Sequence, residues 1–248
     1  MIAAMKDKIA LHQRFYIAEP PTRAGRAHFS GAESKHMVAS LRLAAGDLVS
    51  ATNGQGRVFR IRIEEASAKR VAGLVVGAST EPVPEPRIDL YQAIVRPARM
   101  DTLVEQAAEF AVARFVPFTC ARSVRDAGRE RLERWRRIAV DAMKQSLGSH
   151  LMEVSSPCRL ASAIPGAAGS DTLLVASGPE SEPLPFGLLE RSRPVRIAVW
   201  VGPEGGLTEE EMDALRRAGA TPFGLGPQRL RSETAAIATV AALRACLG

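Results

Sequence analysis

A proline-rich segment separates two differently patterned parts of this chain of 248 residues. Pro82, Pro84 and Pro86 lie within five residues. Proline lacks a backbone N–H and is excluded from helix interiors and central strands, so this run favours an extended connector. Domains commonly contain about 100–200 residues, so a chain of this length allows one domain or two. With the boundary at the prolines, the sequence predicts a small domain over residues 1–80 and a larger one over residues 87–248.

The part before the prolines is patterned as short strands. In residues 58–63 apolar side chains alternate with Arg60 and Arg62, which is typical of a strand with one buried face. Asn53-Gly54-Gln55-Gly56 precedes this strand and favours a hairpin turn. Two more strands and a helix are predicted over residues 48–52, 71–76 and 32–43. These elements predict a small β-rich domain or barrel with a basic outer face.

The part after the prolines alternates between apolar strands and helical stretches. Strands are predicted over residues 88–94, 115–119, 173–176 and 197–201, and helices over residues 100–111 and 130–147, with two more to close the chain. Thr208 and Glu211 have the spacing of a capping box, and the last helix begins near Ser232. This alternation predicts an α/β domain with a parallel sheet.

The charge balance is basic. Lysine and arginine total 33 against 27 acidic residues, a formal net charge of +6. An excess of this size favours a polyanionic partner, although a basic enzyme without such a partner would have the same composition.

The cysteines and the first 14 residues indicate the cellular compartment of the protein. Cys120, Cys158 and Cys246 are far apart and form no C-x-x-C pair, which argues against a disulfide framework or a zinc site. No metal is therefore expected. Residues 1–14 contain Lys6, Asp7 and Lys8 and so lack the apolar stretch of a signal peptide. No run is long enough for a membrane span, so we expect a cytoplasmic protein without a membrane partner.

A glycine-rich loop follows the predicted strand over residues 197–201. It reads Gly202-Pro203-Glu204-Gly205-Gly206 and leads into the capped helix. Ligands of open α/β sheets bind beyond the carboxyl ends of the strands, where glycines let the backbone come close to them. A tight turn that binds nothing is the alternative. The loop matches neither phosphate-binding glycine motif, so a phosphate cradle has little support.

A second strand end lies near the carboxyl terminus. Residues 223–226 lead into residues 227–235 and the last helix, and the two strand ends are expected to converge on one pocket. Plain helix capping would also explain the polar residues of this segment, which are Arg231, Ser232, Glu233 and Thr234.

Residues 201–206 and 225–235 resemble the cofactor loops of the SPOUT-class methyltransferases, most closely those of the ribosomal small-subunit methyltransferase E family. The similarity continues at Arg14-Phe15-Tyr16, His36, Leu41-Arg42-Leu43, Gly46-Asp47, Arg134-Trp135-Arg136-Arg137-Ile138-Ala139 and Gln145. The resemblance implies a PUA-like β-barrel and a SPOUT α/β domain with a trefoil knot, a passage that periodicity does not predict. It also implies S-adenosylmethionine as cofactor, methylation at N3 of a uridine in 16S ribosomal RNA, and a homodimer joined through the last helix.

The resemblance also implies the site residues. Those expected to bind the cofactor are Ala176, Ser177, Val201, Gly202, Pro203, Glu204, Gly205, Gly206, Leu225, Gly226, Leu230, Arg231, Glu233 and Thr234. Arg231, Glu204 and Glu233 are expected at the reacting end, where Arg231 would stabilise a deprotonated uracil or orient a phosphate. Contacts to RNA are expected from Arg14, Arg42, Arg134 and Arg137. The last two belong to a basic helix whose charges a solvated face with i,i+4 pairs would also explain.

Two departures from the family's pattern keep other functions open. The family usually has Leu-Gly where this chain has Phe110-Ala111, and it tends to have arginine shortly after the position of Gln145. A non-catalytic RNA-binding protein that kept the fold is thus one alternative. A nucleotide-binding enzyme that uses the loop of residues 202–206 for phosphates is another, and it predicts affinity for nucleoside triphosphates.

Overall fold

The structure is a computed structural model that describes residues 13–123 and 129–248. The described residues form two compact units. The first contains the chain up to Val83 together with Met143–Leu151, and the second contains Pro84–Ala142 and Met152–Gly248. The proposed division at the prolines assigned residues 143–151 to the second domain, whereas they group here with the first unit.

The described part of the first unit contains a five-stranded sheet and a short helix. Its strands are β1 (Arg14–Tyr16), β2 (Arg26–His28), β3 (Leu48–Thr52), β4 (Arg57–Ala66) and β5 (Val71–Thr80). Their order is β1-β3-β4-β5-β2, with β1 parallel to β3 and the other pairs antiparallel. Helix α1 (Gly31–Lys35) continues as a π-helical turn, His36–Ser40. The helical stretch ends at Ser40, before its predicted end at residue 43, because Arg42 has a left-handed φ of 54°.

The core of the first unit follows the predicted alternation. Phe59, Ile61 and Ile63 on β4 are buried, while Arg60 and Arg62 between them are exposed. Residues 143–151 join this unit through the backbone. The carbonyl of Ser149 accepts hydrogen bonds from the Thr52 hydroxyl (3.1 Å) and from the Gly56 N–H (2.9 Å). Residues that contact each other across about a hundred positions of the sequence leave no local pattern from which the contact could be predicted.

The second unit is a parallel sheet covered by helices. Its strands are β6 (Arg87–Ala93), β7 (Arg114–Thr119), β8 (Glu153–Val154), β9 (Cys158–Arg159), β10 (Thr172–Ala176), β11 (Arg196–Val201) and β12 (Ala220–Phe223). The order is β12-β10-β11-β6-β7-β8, and β9 also pairs with β7. The predicted fold class, a β domain followed by a parallel α/β domain, is confirmed. The trefoil passage stays a prediction, because strand pairing does not show which loop the chain threads.

Helices connect these strands. They are α2 (Pro97–Glu109), α3 (Arg129–Gln145), α4 (Leu160–Ala163), α5 (Phe186–Ser192), α6 (Glu209–Arg217) and α7 (Ser232–Leu247), and a 3-10 turn, Ile164–Ala167, follows α4. Within the described ranges no helix combines the length and the apolarity needed to span a bilayer.

A buried carboxylate joins the three central strands. Asp89 on β6 is fully buried and accepts hydrogen bonds from Arg114 on β7 (2.9 Å) and Arg196 on β11 (2.6 Å). Next to it, the rings of Tyr91 and Trp200 stack with centroids 4.0 Å apart. These contacts hold β11, β6 and β7 in register, which fixes the positions at which the strands end.

The turn after α2 contains a residue in an unfavourable backbone conformation. Ala111 has a left-handed φ of 54°, at the position where the family resembled by this sequence usually has glycine. A side chain with a Cβ adopts this conformation at a cost of roughly 1–2 kcal/mol, whereas glycine adopts it freely. The departure noted in the sequence is therefore a local strain at the end of this helix.

Replacing this alanine with glycine is expected to stabilise the second unit. For Ala111→Gly we expect the free energy of unfolding to rise by about 0.5–1 kcal/mol, since relief of strain exceeds the added entropy of the unfolded chain. Urea unfolding followed by tryptophan fluorescence measures this, because Trp135 and Trp200 both lie in this unit. In the control Ala113→Gly, at an ordinary φ, the same substitution should lower stability. A decrease in the free energy of unfolding for both variants would show that the backbone at Ala111 is not strained.

Candidate active site

A cavity of about 510 Å³ lies at the carboxyl ends of three neighbouring parallel strands, β10, β11 and β12. Each strand end contributes to its wall. The lining residues are Ala176, Ser177, Gly178, Pro179, Glu180, Val201, Gly202, Pro203, Glu204, Gly206, Phe223, Leu225, Gln228, Arg229, Leu230, Ser232 and Ala235. The prediction that the two glycine-bearing strand ends converge on one pocket is confirmed, and the end of β10 completes the pocket.

Two glycines allow this convergence. At Gly202 a Cβ would lie 3.1 Å from the Leu207 side chain, so the loop after β11 could not close as tightly around a larger residue. At Gly224, just beyond β12, a Cβ would lie 2.7 Å from the carbonyl oxygen of Gly178, which belongs to the loop after β10. Glycine is needed at Gly224, where backbone packs directly against backbone, whereas a larger residue at position 202 would require Leu207 to shift.

A buried hydroxyl ties the loop after β11 to two other elements. Ser232, the first residue of α7, donates a hydrogen bond to the carbonyl of Gly202 (2.5 Å) and accepts one from the Gln92 amide (2.8 Å). Gln92 is fully buried near the end of β6. The Ser232 side chain does not cap α7, whose N-cap residue is Arg231. Helix capping is therefore the wrong explanation for Ser232.

An arginine of α2 joins the two carboxylates that were predicted at the reacting end. Arg99 donates to Glu204 through Nη1 (2.6 Å), and its Nε lies 3.3 Å from Glu233. The second carboxylate oxygen of Glu233 is buried and has no hydrogen-bond partner among the described residues. Arg99 thus holds the loop after β11 beside the first turn of α7 and leaves one buried acceptor unsatisfied.

The structure brings most of the predicted cofactor residues together. The lining includes Ala176, Ser177, Val201, Gly202, Pro203, Glu204, Gly206, Leu225 and Leu230. The predicted residues outside the lining are Gly205, Gly226, Arg231, Glu233 and Thr234. Arg231 is exposed between two lining residues, Leu230 and Ser232. The binding and catalytic roles of all these residues stay predictions.

Sequence reasoning missed Gln92 and Arg99. Gln92 stands out as a polar residue in an otherwise apolar strand, and buried polar groups need partners, so a signal for it was present. Arg99 has no such signal, because an arginine on an amphipathic helix usually faces solvent. Only the tertiary structure places it between two carboxylates.

The predicted RNA contacts have different surroundings. In the first unit Arg14 forms a two-pronged ion pair with Glu81 (3.0 and 3.1 Å), and this bond lowers the pKa of the Glu81 carboxyl. Arg42 in the same unit is exposed. In the second unit Arg134 pairs with Asp101 (2.9 Å), while Arg137 is exposed and donates to a backbone carbonyl. Arg42 and Arg137 therefore have the less compensated charges, and all four roles stay predictions.

Comparison with known proteins places the chain in a family. The family model described as RNA methyltransferase domain matches residues 82–244, and the one described as RNA methyltransferase PUA domain matches residues 29–76. Among curated proteins, ribosomal RNA small subunit methyltransferase E of Aquifex aeolicus is 31% identical over 193 residues, covering 76% of this chain and 82% of the relative. The Bacillus subtilis protein of the same name is 27% identical over 237 residues, covering 92% and 91%.

A solved structure agrees over nearly the whole length. The ribosomal RNA small subunit methyltransferase E of Neisseria gonorrhoeae, bound to S-adenosylmethionine, matches with a TM-score of 0.86 and 26% identity, covering 94% of this chain and 97% of that one. The fold and the matched domains define a SPOUT-class RNA methyltransferase with a PUA domain. The chain belongs to the ribosomal RNA small subunit methyltransferase E family, which confirms the resemblance seen in the sequence.

Loss of the Ser232 hydroxyl is expected to loosen the cavity wall. Ser232→Ala removes the bond to the buried Gly202 carbonyl, so we expect the free energy of unfolding to fall by about 1–3 kcal/mol. The affinity for S-adenosylmethionine should fall roughly tenfold, because Gly202 is no longer held in place. Calorimetric titration and urea unfolding measure the two effects.

Ser192→Ala offers a matched control. This serine is exposed near the end of α5 and bonds only the carbonyl of Leu189 among the described residues, so both quantities should stay near those of the unsubstituted protein. An unchanged affinity in Ser232→Ala would show that the bridge does not shape the cavity.

Proposed function

We propose that this protein transfers a methyl group from S-adenosylmethionine to N3 of a uridine in the 16S RNA of the small ribosomal subunit. The observation that carries the proposal is the cavity of about 510 Å³ at the ends of β10, β11 and β12, in a chain of this methyltransferase family. Its volume is typical of small-molecule sites, which range over about 300–1,000 Å³. A relative of the same family binds this cofactor. The uridine and its N3 position rest on the resemblance alone.

The lining of the cavity fits the cofactor. Apolar side chains of Val201, Phe223 and Leu225 suit the adenine ring, and the loops on either side expose backbone polar groups that suit its ribose and amino-acid ends. We assign these backbone contacts to Gly202, Leu225 and Leu230, which line the cavity. When bound, S-adenosylmethionine supplies an electrophilic methyl carbon on a positively charged sulfur.

The remaining residues act on the acceptor base. The imide N–H of uracil becomes a good nucleophile only after it loses its proton, which leaves negative charge on the ring. Arg231 is exposed between two lining residues of the cavity, where its guanidinium can stabilise that charge. Glu204 and Glu233, both held by Arg99, shape the reacting end of the site, where the acceptor base would meet the methyl group.

Positioning supplies much of the proposed catalysis. A base that is stacked or paired within RNA has to turn out of its helix to reach such a cavity. Correct placement of two reactants lowers a barrier by up to roughly 7–11 kcal/mol. A rigid wall is therefore useful, and the buried Ser232 bridge and the Arg99 ion pairs provide it. The proposed acceptor places the enzyme in the cytoplasm with the ribosomal subunits.

Nucleoside analysis of ribosomal RNA tests the proposal directly. We expect 16S RNA from a strain without the gene to lack one 3-methyluridine, and purified protein with S-adenosylmethionine to restore it on isolated small subunits. With Arg231→Ala, kcat at saturating cofactor and subunits should fall by about a hundredfold, as for other groups that stabilise developing charge.

Two results would count against the proposal. An unchanged nucleoside profile in the strain without the gene would refute the assigned reaction. Full activity of Arg231→Ala would refute the role of this residue alone. Calorimetric titration separates the alternatives, because a non-catalytic RNA-binding protein gives no signal with S-adenosylmethionine and a nucleotide-binding enzyme gives one with ATP.

We also propose a homodimer, as the resemblance implies. The apolar stripe of α7 does not require one, since Val240 and Leu243 are buried within their own unit. Sedimentation velocity at micromolar concentration is expected to show a species of twice the chain mass. A stable monomer would exclude the dimer.

A further inference from the structure

A smaller cavity borders the loop after β11. It has a volume of about 320 Å³ and is lined by Arg96, Arg99, Arg122, Glu204 and Gly205. Glu204 lines this cavity and the cavity of about 510 Å³ as well. The two cavities are therefore neighbours that share this residue.

The charges around the smaller cavity are unequal. Three arginines and one glutamate belong to its lining. Arg99 is occupied by Glu204 and by Glu233 outside the lining. Arg122 donates to the neutral carbonyl of Gly205 (2.7 Å). Within residues 13–123 and 129–248, neither Arg96 nor Arg122 forms an ion pair with a carboxylate, and the three arginines set against Glu204 and Glu233 leave a net positive charge of one.

The backbone adds to this positive potential. Arg96 is the N-cap residue of the thirteen-residue helix α2, and its side chain makes no capping bond. The amino end of a helix carries a partial positive charge that favours anions. Arginine offers several N–H donors in a planar fork that matches the oxygens of a phosphate. The cavity thus combines space, donors and charge suited to one phosphate group.

We propose that Arg96 and Arg122, supported by Arg99, bind a backbone phosphate of the substrate RNA next to the nucleotide that is methylated. The assignment rests on the proposed function and adds a second point of attachment for its substrate. Because Glu204 borders both cavities, a phosphate held here leaves the neighbouring base beside the rim of the larger cavity. The arginine cavity would then orient the RNA, while the larger cavity holds the methyl donor.

Arg96 is the best residue to test. It is exposed, and its side chain has no described hydrogen bond, so Arg96→Gln removes a charge without breaking a contact among the described residues. Arg96→Lys keeps the charge. Arg217→Gln is the matched control, because Arg217 is an exposed arginine of the same unit, at the end of α6, outside both cavities.

Three measurements on the full chain distinguish the outcomes. Filter binding of isolated small ribosomal subunits at several salt concentrations gives Kd and its salt dependence, methyl transfer gives KM for the subunits, and calorimetry gives Kd for S-adenosylmethionine. For Arg96→Gln we expect Kd and KM for the subunits to rise roughly tenfold. The slope of log affinity against log salt should decrease by about 0.7–0.9, the value for one phosphate contact.

The other variants and the cofactor should behave differently. Arg96→Lys is expected to bind subunits within about threefold of the unsubstituted protein, since lysine also binds phosphate as a point charge. Arg217→Gln should change neither Kd nor the salt slope. The affinity of Arg96→Gln for S-adenosylmethionine should stay unchanged, because the methyl donor occupies the other cavity.

Three results would overturn the assignment. One is an unchanged Kd and salt slope in Arg96→Gln. Another is an equal loss in Arg217→Gln, which would indicate general charge attraction. The third is weaker binding of S-adenosylmethionine, which would mean that the arginines hold the carboxylate of the cofactor. Filter binding needs no methyl transfer, so a protein without the proposed activity that still shows the Arg96 effect would sink the proposed function and leave the phosphate contact standing.

Discussion

The arrangement of the active-site region depends on one buried hydroxyl. Ser232 bonds the carbonyl of Gly202 and the amide of Gln92, so a single side chain fixes the loop after β11, the start of α7 and the end of β6. These residues are buried, and a buried polar group without a partner costs about 1–3 kcal/mol. The network is therefore stable only when all three elements are in place.

Ion pairs also hold the elements of this region together. Arg99 pairs with Glu204 and Glu233 and thereby joins α2 to the loop and helix that border the larger cavity. With these carboxylates engaged by Arg99, Arg96 and Arg122 are the arginines of the smaller cavity that form no ion pair among the described residues. A methyl donor in one space and an anionic acceptor in the other would meet at Glu204.

Local sequence patterns predicted the helices and strands, but they did not predict which residues contact one another in the folded chain. The alternation in β4 predicted which side chains are buried, and the capping box of Thr208 and Glu211 is present as predicted. Helix capping was the alternative explanation for Ser232, whereas its hydroxyl bonds residues 30 and 140 positions away. The grouping of residues 143–151 with the first unit also lacked a local signal. In each case the deciding contact is distant in sequence.

The sequence by itself determined the class of fold, the strand ends that carry glycine and the family, because these depend on residue order and on spacing over a few positions. The tertiary structure decided which residues face one another: Gln92 and Ser232, Arg99 and its two carboxylates, and the arginines around the second cavity. The physical reason is that the register of a parallel sheet brings together strand ends that are far apart along the chain. Burial and charge pairing then select among their side chains, and neither can be evaluated until the neighbours are known.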